Sequence, residues 1–201
     1  MRKIALPAAI AAIVLASAPA QAIELNPFSY VKGAVEAAVE DRSAEDIATD
    51  TKIKAKLTAA IVDQMGTDVI SFNVDVYEQI VMLTGVVETG DLKSQVSKVA
   101  KTVEGVKKLY NEVLVIPKVK QEKGAIEGFV DDSVIETKIN AQLLDGKGVN
   151  VTNFRWRSVG GHVFLFGRAL SNDERKKAVS IVIDIDGVSK VTDRTIVKPK
   201  E

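Results

Sequence analysis

Few side chains in this sequence could support acid–base, nucleophilic or metal chemistry. The 201 residues include one histidine, His162, and no cysteine, which excludes a thiolate zinc site, a cysteine nucleophile and a histidine-rich metal centre. Two carboxylate pairs, Glu45–Asp46 and Asp131–Asp132, stand at the starts of helical patterns, where the helix dipole favours acids. We interpret them as capping residues, and the sequence predicts no catalytic residue, no metal site and no cofactor.

A group of arginine and aromatic side chains in the second half of the chain could bind an anionic surface. Residues 154–157 alternate aromatic and arginine side chains, and residues 163–166 are apolar at every position. Because successive side chains of a strand point to opposite faces, an inward-pointing Phe154 and Trp156 would leave the arginines on the other face. That face would carry Arg155, Arg157, Phe164, Phe166 and Arg168.

Two interpretations of this face stay open. Arginine forks bind phosphate groups, and aromatic rings favour the bilayer interface, so the five residues are a candidate site for anionic phospholipid. The alternative is that the face packs against the other half of the chain or against residues 23–45. No nucleic-acid partner is expected, because the 27 basic residues are balanced by 27 acidic ones.

The elements that would position these residues occur twice. The segment Asp50–Leu57 recurs as Glu136–Leu143 at an offset of 86, whereas Val81–Gly85 recurs as Val163–Gly167 at an offset of 82. We interpret the four-residue change as a loop difference between the first helix and the first strand. A unit of this length that occurs twice indicates a duplicated small domain.

Each copy shows the same order of patterns. Apolar residues four apart, such as Ile53, Leu57 and Ile61, predict a helix, and the alternation over residues 70–76 predicts a half-buried strand. A second strand, a second helix and a last strand follow. The fold class is therefore α+β: two tandem αββαβ domains, each a small mixed three-stranded sheet with two helices on one face.

Four glycines are expected to be structural. Gly85 and Gly167 lie in the second strands, where a glycine indicates a bulge or a close backbone approach. Gly105 and Gly187 follow the second helices, where we predict a positive φ at the first position past the helix cap.

The first 22 residues have the pattern of a secretory signal peptide. Arg2 and Lys3 precede an apolar run, and Ala20-Gln21-Ala22 is a small-x-small cleavage site. The run is too short to span a bilayer, and no later apolar run reaches that length. We expect cleavage after Ala22, a periplasmic location and no transmembrane segment in the mature chain.

The motifs together resemble the BON domain family. The resemblance rests on the helices at 46–57 and 132–143, on Val-x-Leu-x-Gly at 81–85 and 163–167, and on Gly-Val at 105–106 and 187–188. It implies an αββαβ fold, an envelope location, a binding role that is often proposed to involve phospholipid, and no catalytic motif. The absence of cysteine departs from the lipoprotein members of the family, so any membrane contact would be peripheral.

The resulting prediction is a non-enzymatic periplasmic protein of osmotic or envelope stress that binds anionic phospholipid surfaces. A periplasmic scaffold that binds envelope proteins or peptidoglycan without lipid is the alternative. An N-terminal amphipathic segment and a linker complete the expected organisation: signal peptide 1–22, amphipathic segment 23–45, first domain 46–116, linker 117–128 and second domain 129–198.

Overall fold

The computed structural model describes residues 40–66, 71–117 and 125–200. The predicted signal peptide and most of the predicted amphipathic segment lie outside these residues. The first domain comprises α1 (Ala44–Met65), β1 (Ser71–Tyr77), β2 (Ile80–Val87), α2 (Gly90–Thr102), β3 (Lys108–Asn111) and β4 (Leu114–Val115). The second comprises α3 (Ala125–Asp145), a 3₁₀ turn (Val151–Asn153), β5 (Phe154–Val159), β6 (His162–Ala169), α4 (Asn172–Ile183), β7 (Lys190–Asp193) and β8 (Ile196–Val197).

The capping signals in the sequence start the helices. The Ser43 side chain accepts a hydrogen bond from the Asp46 backbone N–H and so caps α1, and Glu45 and Asp46 occupy its first turn. Ser171 caps α4 in the same way through the Glu174 N–H. These caps satisfy backbone donors that the helix leaves without a partner, which agrees with the interpretation of Glu45 and Asp46 as capping residues. The same interpretation of Asp131–Asp132 is wrong, because both residues lie inside α3 and not at its start.

Each sheet is mixed and carries its helices on one face. In the first domain β1 is antiparallel to β2, and both β3 and β4 are parallel to β2. The second domain repeats this topology with β5 to β8. The predicted last strand is interrupted in both copies, at residues 112–113 and 194–195, so that four strand segments replace the three strands expected. Two separate apolar cores, one per domain, lie between the sheet and its helices.

One offset of 82 relates the two domains, and the offset of 86 predicted for the first helix is wrong. Ile53 lies against Gly105, and Ile135 lies in the same way against Gly187, each with its side chain 3.2 Å from the position that a Cβ would take. A shift of four residues is close to one helical turn and keeps the apolar face in place. The sequence identity between residues 50–57 and 136–143 therefore does not identify the structurally equivalent residues, which lie one helical turn earlier in the second copy.

The glycines adopt the conformations that only glycine takes easily. Gly85 and Gly167 have φ of 132° and 108°, and a Cβ on Gly167 would lie 2.1 Å from the Asn153 carbonyl oxygen. Gly105 and Gly187 have φ of 92° and 96°. They lie in the turn beyond the helix, however, and not at the first position past the cap. The caps are Val103 and Asp184, because the chain makes one further turn before it enters the last strand.

Two helices begin outside the predicted domain bounds. Helix α3 starts at Ala125, inside the segment 117–128 that was predicted as a linker. Helix α1 likewise starts at Ala44, two residues before the predicted domain boundary.

Candidate functional site

The predicted lipid-binding residues lie between the two domains and not on an open surface. Phe164 and Phe166 are each 1% exposed, and they form one apolar cluster with Tyr77 and Met82 of the first domain. The sheets face each other through the sides that carry no helix. Of the two interpretations that the sequence left open, packing against the other repeat describes Phe164 and Phe166, and an exposed aromatic face does not.

The contact is apolar at its centre because both second strands carry apolar side chains on both faces. One face fills the domain's own core, and the other covers the partner sheet. Tyr110 meets the edge of the Phe166 ring at a centroid distance of 6.4 Å, and His162 stacks on Phe164 at 4.1 Å. His162 Nε2 also lies 2.7 Å from Thr192 Oγ1, and burial together with the Lys190 charge lowers the pKa of the His162 ring.

Arg157 joins the domains through a bidentate ion pair. Its Nε and Nη2 donate to the two carboxylate oxygens of Asp75, each at 2.8 Å. Burial alone would raise the pKa of Asp75, but the attraction of the Arg157 charge outweighs it and the net shift is downward. Arg157 also lies 3.9 Å from Glu136 of its own domain, and burial raises the pKa of that carboxyl group.

Arg168 connects its own strand, β6, to three other segments of the chain. Its guanidinium group donates to the backbone carbonyls of Lys198, Pro199 and Asp41 and to the carboxylate of Glu78. The side chain is buried, so every one of these bonds replaces a bond to water. Arg168 therefore acts as a fixed connection between the chain ends of the described structure and the first domain, and it is not available to a phosphate group.

Residues 40–42 complete the contact between the domains. Glu40 forms ion pairs with Arg42 and Arg155, and the Arg42 guanidinium lies 4.5 Å from the centre of the Tyr77 ring. The Asp41 carboxylate accepts hydrogen bonds from the side chains of Asn150 and Asn153. The Tyr77 hydroxyl donates to Asn153 Oδ1 at 3.2 Å.

Sequence reasoning missed the partners of the arginines, although a signal for them was present. The first domain carries acids where the second carries cations, as at Asp75 and Arg157 or Glu112 and Arg194, and each of these pairs forms an ion pair. Residues 40–42 gave no such signal, because their contacts depend on the arrangement of the domains.

The outer surface of the helices differs between the two domains. Helices α3 and α4 expose apolar side chains: Val134 is 47%, Leu144 is 70% and Ile183 is 43% exposed. At the equivalent positions of the first domain, 82 residues earlier, stand Lys52, Val62 and Lys101. This outer surface of α3 and α4, which we call the helical face, is more apolar than its counterpart.

A groove of about 440 Å³ opens beside the helical face. It is lined by Val134, Lys138, Asp186 and the turn residues Gly160 and Gly161, among others. In the first domain the turn is Glu78–Gln79, and the Gln79 side chain is held by Asp46, Asp50 and Lys107. Gly160 leaves open the space beside this turn, since no atom lies within 4 Å of the position that its Cβ would take.

The described residues offer no metal site, and none of their helices is both long and apolar enough to cross a bilayer. The five predicted lipid-binding residues take part in the contact between the domains, and the helical face and the groove are described surfaces that stay open to a partner.

Comparisons with known proteins agree with the duplicated fold. The BON domain family matches residues 49–117 and 131–199. The chain is 30% identical to the osmotically-inducible protein Y of Escherichia coli (strain K12) over 142 residues, which is 71% of this chain and 69% of that protein. It is 32% identical to the outer membrane lipoprotein DolP of Haemophilus influenzae over 115 residues, 57% of this chain and 56% of DolP.

A solved structure of CdsD, a structural protein of the type III secretion system of Chlamydia trachomatis, is similar with a TM-score of 0.31 and 12% identity, covering 75% of this chain and 94% of that one. The two family matches cover more than half of the chain and fall on the two αββαβ units, related by the same offset as the structural pairs. The chain therefore belongs to the BON domain family and contains two BON domains.

Proposed function

We propose that the protein is a non-enzymatic envelope protein that binds the surface of anionic membranes through the helical face of its second domain. The observation that carries the proposal is the exposure of Val134, Leu144 and Ile183 on helices α3 and α4, which lie on the side of the sheet away from the other domain. Apolar side chains that share an exposed face are typical of interaction sites.

The lysines around this face would attract an anionic bilayer, whereas the exposed Asp145 and Asp184, next to Leu144 and Ile183, would oppose it. Lys147, Lys176 and Lys177 are exposed on the second domain, and each basic residue near such a surface contributes about 1 kcal/mol at most. Lys138 contributes less, because it lies 3.5 Å from the Asp186 carboxylate. Three lysines and three partly inserted apolar side chains correspond to weak, reversible and salt-sensitive binding.

The relatives support an envelope role. One is named as osmotically inducible and another as an outer membrane lipoprotein, and the predicted signal peptide would deliver this chain to the periplasm. Since the sequence contains no cysteine, the lipoprotein's anchor has no equivalent here, and contact would depend on the folded surface. The name of the first relative supports an osmotic-stress function.

Vesicle co-sedimentation of two matched variants tests the proposal. Leu144→Glu should lose most binding to anionic vesicles at low salt, and combining it with Val134→Glu and Ile183→Glu should abolish binding. Val62→Glu changes the equivalent exposed position of the first domain and should bind as the unmodified protein does. Equal binding by all variants would exclude the helical face, and no binding by the unmodified protein would favour a scaffold that binds envelope proteins or peptidoglycan.

A further inference from the structure

The charges on the contacting sheet faces are inverted between the two domains. Asp75 and Arg157 occupy equivalent positions and pair with each other, as do Glu112 and Arg194, at 2.6 Å. A third equivalent pair, Lys54 and Glu136, flanks the first of these. The Lys54 charge helps to lower the pKa of Asp75, and Glu136 lies near Arg157. At these three equivalent positions the charge therefore has the opposite sign in the other domain.

Contacts between equivalent residues have a geometric meaning. When a residue meets its own counterpart, both lie close to a local two-fold axis, as in a dimer of identical subunits. The two domains thus pair in the manner of a two-fold dimer. If two first domains paired in this way, Asp75 would face Asp75, and two second domains would place Arg157 against Arg157. Like charges at the axis oppose such pairings.

We propose that the helix-free sheet face of each domain is a docking surface for the opposite domain only, selected by these charges, and that it pairs two copies of this chain when pairing within each copy is blocked. The occupant is the second domain of another copy, because that surface offers the same apolar cluster and the same inverted charges. The proposal does not depend on membrane binding.

Two reciprocal variants of the full chain separate pairing within a copy from pairing between copies. The first variant, Lys54→Glu with Asp75→Arg, inverts the first domain and keeps attraction between those two residues. The second, Glu136→Lys with Arg157→Asp, does the same in the second domain. In either variant alone, residues 75 and 157 carry like charges. They repel each other when the two domains of one chain pair, and they also do so when domains of two chains of the same variant pair.

A mixture of the two variants should form a 1:1 heterodimer. Only in the heterodimer do residues 75 and 157 of the paired domains carry opposite charges. The inverted first domain of one chain pairs with the inverted second domain of the other chain, and the two unaltered domains pair with each other. Native mass spectrometry after mixing should show the heterodimer as the main species, whereas each variant alone should be mostly monomeric. A single chain with all four substitutions should return to a closed monomer.

A control variant and a second pair of reciprocal variants complete the experiment. Lys138→Asp with Asp186→Lys inverts an exposed ion pair away from the sheet contact and should stay monomeric alone and in mixtures. If the first set fails to fold by circular dichroism, Glu112→Arg and Arg194→Glu form a second reciprocal pair at the less buried axial contact. Absence of a heterodimer from folded variants, or dimers of one variant as abundant as the heterodimer, would overturn the proposal.

Discussion

At the scale of single residues, the structure explains why the arginines of the second domain are not a lipid site. Arg157 and Arg168 have all of their strong partners inside the protein. These partners are carboxylates of the first domain and the backbone carbonyls of residues 41, 198 and 199. A buried guanidinium group separated from such partners would pay a large desolvation cost. Residue type indicated an anion partner correctly, but the anions are carboxylates of the same chain.

Protonation of Asp75 should weaken the contact between the domains. Because Arg157 lowers the pKa of Asp75 below its ordinary value of 3.8, the stabilisation from this carboxylate is complete above that value and is lost as the pH falls through the lowered pKa. The difference in free energy of unfolding between the unmodified protein and Asp75→Asn should therefore be largest above about pH 5 and shrink below 3.8.

Urea unfolding of both proteins at a series of pH values measures this difference. The contributions of titrating groups remote from Asp75 are present in both proteins and largely cancel. Glu136 is the exception, because burial and also the Asp75 charge raise its pKa, so its pKa should be lower in Asp75→Asn. If the difference in free energy of unfolding stays constant down to pH values well below the ordinary pKa of 3.8, Asp75 is not paired with Arg157 as described.

Gly167 should tolerate a side chain less well than Gly187. A Cβ there would meet the Asn153 carbonyl oxygen at 2.1 Å, whereas at Gly187 the nearest atom, at 3.2 Å, belongs to the Ile135 side chain, which can move. Backbone strain alone costs about 1–3 kcal/mol at either position, so Gly167→Ala should lose clearly more stability than Gly187→Ala. Equal losses in urea unfolding would contradict the close approach.

At the scale of elements, each domain fastens its first hairpin to its first helix with one aspartate. The Asp132 carboxylate accepts hydrogen bonds from the Gly160 and Gly161 backbone N–H groups and from the Ser158 hydroxyl. Asp50 accepts from the N–H groups of Glu78 and Gln79 in the same way. These hydrogen bonds orient α1 and α3 relative to the sheets of their domains.

Removal of this aspartate should destabilise its own domain. Asp132→Ala leaves two turn N–H groups and a hydroxyl without their acceptor, and the loss of charged hydrogen bonds of this kind costs about 2–3 kcal/mol. Asp132→Asn keeps an acceptor oxygen and should lose less. Thermal unfolding compares the two variants, and an unchanged midpoint for Asp132→Ala would contradict the role assigned to the carboxylate.

The elements themselves were largely predictable from the sequence, whereas their junctions were not. The apolar spacing of Ile53, Leu57 and Ile61 and the alternation of the first strand identify elements that the structure contains, because local patterns determine them. The helix register of the repeat was misread, since a shift by one turn preserves the apolar face. The start of α3 at Ala125 was missed, because no capping signal marks it.

At the scale of the whole molecule, the pairing of the two sheets decides which surfaces are available. Sequence analysis could place Phe164 and Phe166 on a helix-free face but could not decide between lipid and protein as the cover, because both are apolar. The decisive information is non-local: Tyr77 and Met82 complete the same cluster from the other domain. The helical face of the second domain is then an apolar surface that stays exposed among the described residues.

Thiol labelling of a cysteine at position 82 tests the pairing of the two sheets most directly. The chain has no cysteine, so Met82→Cys places a single reporter in the cluster between the domains, and Val134→Cys places one on the exposed helical face as a control. The account predicts that a maleimide labels Val134→Cys at once and labels Met82→Cys only when the protein unfolds. Equally fast labelling of both in the folded protein would contradict the closed arrangement of the domains.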